Sequence, residues 1–251
     1  MDKQGNLKII SSFLMLFLVL GSLAVFAVHE IKTSAGTTSF NFNEDLSSFY
    51  NLSVNNTDIG QDANITQVNV TFPSGFSFNA ETNGTDSFSD FIIDGQVLSW
   101  SNFTNFVVNG SLAGEGNLKY FWINATTATP GTYNITVTTV NGTGAFNSNL
   151  SVVINDTTFP LANTTFPAPD SQVEVGNSVE IRVNNVTDNV AISAVMINLT
   201  YPNGTSVLLP TGQDANGYAR NFQTKTVHDL LGNYNVTFIV NDTSNNVNSS
   251  Q

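Results

Sequence analysis

The 251 residues include no cysteine, only seven lysines and arginines, and only two histidines. Each scarcity excludes a class of chemistry. Without cysteine there is no disulfide, no thiolate metal ligand and no cysteine nucleophile. Seven cations against 19 carboxylates, a net charge of −12, exclude a nucleic-acid partner, because phosphate-backbone binding needs clustered lysine and arginine. His29 and His228 are the only imidazoles, one at the edge of a hydrophobic run and one in Thr226–Leu230, read as a loop or strand end. A nucleophile triad therefore has no well-placed base. The chain also lacks a phosphate loop, a Gly-x-Ser-x-Gly elbow, a His-x-x-x-His pair and a dinucleotide fingerprint. These absences point away from an enzyme. Charged residues are 10% of the chain, against about 25% in ordinary soluble domains. Polarity comes instead from 35 Asn, 29 Thr and 24 Ser.

Long apolar runs are absent except at the start, where Ile9 to Val28 carries no charge and follows Lys3 and Lys8. Cations ahead of such a run hold that end in the cytoplasm and send the remainder out. Residues 1–35 are thus expected to be a signal peptide or an N-terminal membrane anchor, with 9–28 as the helix that contacts the membrane if it is kept. The run is longer than a usual cleaved core and just long enough to span a bilayer. Val25-Phe26-Ala27 and Thr33-Ser34-Ala35 offer small-residue cleavage points. Both fates stay open; the place is extracellular or cell-surface either way.

After residue 35 a period of two dominates, as in Ile65–Phe72, Leu118–Ile123, Tyr133–Val137, Val179–Val183 and Val195–Leu199. Such runs form strands with one face in the core and one in water. Asn83-Gly84, Asn109-Gly110, Asn141-Gly142, Asn203-Gly204 and Asn216-Gly217 punctuate them with turn signals. Trp100, Tyr120 and Trp122 would make a sugar-stacking platform if exposed, yet aromatics within strand patterns read as core. Pro130–Val137 echoes Leu231–Phe238 at an offset of 101 residues, about one sandwich domain, and in both Gly-x-Tyr enters an alternating strand. The expected class is all-β: two tandem antiparallel sandwiches behind the hydrophobic helix, over 36–155 and 156–251.

Asp156-Thr-Thr-x-Pro160, Val175–Ile181, Val186–Val190, Leu199–Thr205 and Gly232–Val247 resemble the immunoglobulin-like and fibronectin-III-like repeats of prokaryotic, especially archaeal, cell-surface proteins. The resemblance covers 156–248; in the first unit it extends only over Gly131–Val137. It implies immunoglobulin-like sandwiches and a non-enzymatic surface role. In such repeats a further apolar strand follows the turn at Asp242–Asn246, whereas here only Val247–Gln251 remains. The last strand is therefore expected to be short, missing through truncation, or donated by a neighbouring chain.

Asn-x-Ser/Thr occurs 19 times, at Asn51, Asn55, Asn64, Asn69, Asn83, Asn102, Asn109, Asn124, Asn134, Asn141, Asn149, Asn155, Asn163, Asn185, Asn198, Asn203, Asn235, Asn241 and Asn248, where composition alone yields about 7. Polar-out patterning of strands would produce the reversed order as often, since residues i and i+2 share a face. The reversed order occurs 8 times. An oligosaccharyltransferase reads the motif in one direction, so dense N-glycosylation is expected.

In an immunoglobulin topology the domain start and the loops after the second and sixth strands share one pole. Those places hold Asp156, Asp188 and Asp242 with Asn245, hard oxygen ligands of the kind a structural calcium takes. Turn capping by the same residues is the alternative. No other cofactor is expected. The functional expectation is a glycosylated two-domain stalk or adhesion module, with other surface proteins or glycans as partners. A carbohydrate-binding or adhesin module with a specific ligand, and accessory domains of a secreted hydrolase, are the alternatives.

Overall fold

The computed structural model describes residues 29–56, 64–79, 83–85, 89–103, 118–127, 129–142, 144–224 and 231–250. The hydrophobic run 9–28, the sequon at Asn109 and His228 lie outside these residues. All regular structure described is β, and no described helix is long and apolar enough to cross a membrane. The chain divides into two compact units, one of residues up to 40 with 47–126 and 133–152, the other of 41–46, 127–132 and 153–251.

In the first unit one sheet runs β1 (His29–Thr33), β3 (Ser48–Asn56), β9 (Leu118–Thr126), β5 (Ser77–Phe78), with β6 (Gly84–Thr85) also on β9. The other runs β2 (Ser39–Asn43), β11 (Gly144–Asn155), β10 (Gly131–Asn141), β4 (Gln67–Thr71), β8 (Val97–Ser101), β7 (Asp90–Asp94). Alternation in β3 sends Tyr50, Leu52 and Val54 inward, and that in β10 sends Ile135 and Val137 inward, so the two apolar faces close on one core. Six aromatic rings form a connected set in that core. Tyr50 stands edge-on to Phe40, Phe72 and Phe76 at 5.3, 5.2 and 6.2 Å, and Phe72 and Phe76 reach on to Phe78 and Tyr133, each at 5.2 Å. Trp100 is fully buried against Phe121, 5.2 Å away, which removes it from any exposed stacking platform; the Trp122 indole covers Gly84. The β7–β8 hairpin turns through Gly95, whose φ of 56° suits the first central position of a two-residue turn. Consecutive strands here change sheet repeatedly, from β3 to β4 to β5 and again from β8 to β9 to β10. Within the unit, β1-β3-β9 and β11-β10-β4 have the A-B-E and G-F-C order of an immunoglobulin-type sandwich, to which β5 to β8 add strands on both sheets.

β1 lies inside the segment 1–35 expected to be the leader. His29, Ile31 and Thr33 are buried, and the strand pairs with Leu52–Asn56 of β3. The His29 ring packs edge-on against Phe146 at 5.0 Å, and its Nδ1 meets the Thr139 hydroxyl. These residues alternate inward like any core strand, a pattern too short to separate from the flank of the hydrophobic run.

The second unit contains β12 (Leu161–Phe166), β13 (Ser178–Thr187), β14 (Ile192–Thr200), β15 (Ser206–Pro210), β16 (Gly212–Asp214), β17 (Gly217–Gln223), β18 (Asn235–Asp242) and β19 (Val247–Ser250). One sheet is β12-β13-β17-β16 and the other β15-β14-β18-β19. With the strands lettered in sequence these are ABED and C′CFG, the order of an immunoglobulin-type sandwich. The core is Ile181 and Val183 from one sheet with Val195, Ile197, Leu199, Phe238 and Val240 from the other. Tyr234, at the entry to β18, packs on Tyr201 and Phe222 at 5.6 and 6.0 Å. The final strand is short: β19 pairs Val247–Ser250 with Phe238–Asn241 of β18.

Candidate metal centre

Three loops of the second unit present aspartates at one end of its sandwich. Asp156 follows β11, Asp188 follows β13 directly, and Asp242 is the last residue of β18. Each offers an oxygen within 4.8 Å of the others. Local hydrogen bonds explain why short polar residues stand there. Asp242 Oδ1 accepts from the amides of Ser244 and Asn246 at 2.7 and 2.8 Å, Asp188 Oδ2 from those of Val190 and Ala191 at 2.9 and 3.1 Å, and Asp156 Oδ1 from that of Thr158 at 3.0 Å. These are Asx turns, in which a carboxylate organises the backbone two to four residues ahead.

The turns consume only part of the oxygen set. Asp156 Oδ2 and Asp188 Oδ1 are buried and have no hydrogen-bond donor among the described residues. Burying a carboxylate oxygen with no donor is unfavourable, and three like charges this close repel by roughly 3 kcal/mol per pair at an effective dielectric near 20. Among the described residues no ammonium or guanidinium pairs with these aspartates. The ion pairs among the described residues join Lys32 to Glu30 and Arg182 to Glu180 and Asp214, and none involves the three aspartates. A divalent cation is the natural counter-charge. With oxygen donors alone, and no imidazole or thiolate, the chemistry suits calcium rather than zinc or copper.

The turn after β18 carries two asparagines. Asn245 occupies a left-handed position, φ 70°, and is exposed. Its neighbour Asn246 makes the bridge: Nδ2 donates to Asp242 Oδ2 at 2.8 Å and to the Asp156 carbonyl at 3.3 Å.

A fourth carboxylate, Glu44, was not expected from sequence. It is 3% exposed, and its Oε1 accepts from the Thr157 and Thr158 amides, both 2.8 Å, and from the Thr158 hydroxyl at 2.7 Å. Its Oε2 accepts from Asn189 Nδ2 at 2.6 Å. Burial pushes the Glu44 carboxyl up, but the hydrogen bonds from Thr158 and Thr157 outweigh it and hold the group below its ordinary range. No motif marks Glu44; a sequence signal would have required knowing that residues 41–46 group with the second unit.

The sequons divide by burial. Asn64, Asn102, Asn134, Asn149, Asn155, Asn163, Asn185, Asn203 and Asn235 are exposed, and Asn51, Asn55, Asn69, Asn83, Asn198, Asn241 and Asn248 half-buried. In Asn64-Ile65-Thr66, Asn69-Val70-Thr71, Asn134-Ile135-Thr136 and Asn198-Leu199-Thr200 the central residue is buried while its neighbours face outward. Two sequons depart from the outward expectation. Asn124 is 7% exposed, its Oδ1 taking the Ser47 hydroxyl and its amide bonded to Asn83 Oδ1. Asn141 is 6% exposed because β10 continues through it on the inward parity of Thr139, and its Oδ1 accepts from the Gly144 amide at 3.1 Å.

No protein-family model matches the chain, and no curated protein does. Among solved structures it is similar to BcpA, the major pilin subunit of Bacillus cereus (11% identity, 86% of this chain and 59% of that one, TM-score 0.37). It is also similar to the fibronectin(III)-like modules of Clostridium thermocellum CbhA (16% identity, 88% and 90%, TM-score 0.29). A third is the C-terminal domain of the Streptococcus pyogenes antigen I/II-family protein AspA (8% identity, 89% and 97%, TM-score 0.37). The chain spans about three-fifths of the length of the pilin it matches.

Proposed function

We propose that this chain is a non-enzymatic, extracellular surface protein of archaeal type, a glycosylated two-domain stalk or adhesion module held at the membrane through residues 9–28 or released after cleavage. The observation that carries this reading is the facing of the sequons. At Asn64, Asn69, Asn134 and Asn198 the asparagine and threonine face outward, exposed or half-buried, on either side of a buried aliphatic residue, so these acceptors are presented on the outer face of the sandwich. Glycans there shield sheet edges and keep a chain with few charges soluble. The work is spacing and presentation.

In this reading the aspartate cluster holds a structural calcium. Asp156, Asp188 and Asp242 supply carboxylate oxygens, and water or backbone carbonyls complete the six to eight ligands calcium prefers. The ion joins three loops and stiffens that end of the sandwich. Two measurements test the proposal. Mass spectrometry of the native protein finds hexose-bearing peptides at the exposed sequons; bare peptides throughout overturn the glycoprotein. Calcium raises the thermal midpoint and chelation reverses it. A midpoint indifferent to calcium removes the ion.

A further inference from the structure

We infer that Glu44 is the positioning residue of the cation site, a clamp that holds the Asp156 and Asp188 loops at ligand spacing. This rests on the calcium reading above. Glu44 lies between β2 and β3, more than a hundred residues before the loops it grips.

The geometry is specific. Thr157 and Thr158, which both donate to Oε1, immediately follow Asp156; Asn189, which donates to Oε2, immediately follows Asp188. One buried carboxylate therefore fixes the residue next to each of two ligands. The third ligand is tied in separately, because Asn246 joins Asp242 Oδ2 to the Asp156 carbonyl. Glu44 is anchored in its turn: its amide donates to the Asn155 carbonyl at 3.0 Å, and the amide of Asp45, at φ 56°, donates to the Thr127 carbonyl at 3.0 Å. Three of the four hydrogen bonds fall on Oε1 and tie the Asp156 loop, and the one on Oε2 ties the Asp188 loop, so the carboxylate bridges the two. The unpartnered oxygens, Asp156 Oδ2 and Asp188 Oδ1, belong to the residues it holds in place. Groups that orient metal ligands typically change affinity by about 10–100-fold when removed.

The test is calcium titration of the full chain by calorimetry, with Glu44→Gln, Asn189→Ala and, as a control, the core variant Ile181→Val. Glu44→Gln keeps the shape and removes the charge; Asn189→Ala breaks the same clamp at an exposed residue and still folds. The expected result is calcium binding by wild type and affinity about tenfold or more weaker in both clamp variants. The control is expected to lose stability and keep wild-type affinity. Wild-type affinity in both clamp variants, or equal loss in the control, overturns the positioning role while calcium binding stands. No binding by wild type overturns the calcium reading itself, and the inference with it. If Glu44→Gln fails to fold, Asn189→Ala decides: weakened binding supports the clamp and unchanged binding ends it.

Discussion

Asn189 Nδ2 donates to Glu44 Oε2 at 2.6 Å, joining residues 145 apart in sequence. The pair gives the second unit a contact that neither strand pairing nor the hydrophobic core supplies, and it makes that unit sensitive to the ionisation of one carboxyl.

That sensitivity has a sign. The folded Glu44 carboxyl sits below its ordinary value of 4.5, so its contribution to stability is complete above that pH and is lost as pH falls through the folded value. Thermal midpoints followed from neutral pH to about pH 3 should drop more steeply below the mid-fours for wild type than for Glu44→Gln. Parallel curves would show that Glu44 does not carry this dependence.

Gly217 opens β17 at φ 142°, and a Cβ there would lie 2.3 Å from the Val183 carbonyl oxygen and 2.9 Å from Asn184 Oδ1. Backbone atoms of β13 cannot give way without breaking the Val183–Tyr218 pairing. Gly217→Ala should lose roughly 2 kcal/mol or more in urea unfolding, whereas Gly36→Ala, which meets nothing within 4 Å, should lose less.

The proposed leader offers two small-residue cut points, after Ala27 and after Ala35, and the sheet discriminates between them. Cutting after Ala27 leaves β1 whole; cutting after Ala35 strips it and uncovers Leu52 and Val54, both now fully buried. N-terminal sequencing of any processed form should therefore start at or before His29. A start at Gly36 would mean that β1 is dispensable.

Sequon occupancy should follow burial rather than motif. Asn134, Asn203 and Asn235 are expected to carry glycan, and Asn124 and Asn141 to remain bare in the folded chain. Site-resolved glycopeptide mapping checks this, and modified Asn124 would mean that transfer precedes folding of β9.

Period-two alternation was enough to read strand identity and core facing from sequence, because Ile135, Val137, Ile181, Val183, Ile197 and Leu199 each alternate with polar neighbours. The convergence of Asp156, Asp188 and Asp242 was legible too, since an immunoglobulin order puts their loops at one pole. What stayed hidden has a common cause. Glu44 acts through chain topology, and Asn124 is buried in a strand, β9, where it meets Ser47, Asn79 and Asn83. Neither leaves a local pattern. The placement of β5 to β8 in the first unit was equally unreadable, because alternation fixes which face a residue takes but not which strand lies beside it.

The interlocked rings of Tyr50, Phe72, Phe76 and their neighbours hold the core of the first unit together without any covalent staple. With no sulfhydryl anywhere in the sequence, maturation needs neither an oxidant nor an isomerase, and dithiothreitol should leave the melting curve untouched. Such a fold keeps its shape in anoxic, sulfide-rich surroundings, where cross-linked domains come apart.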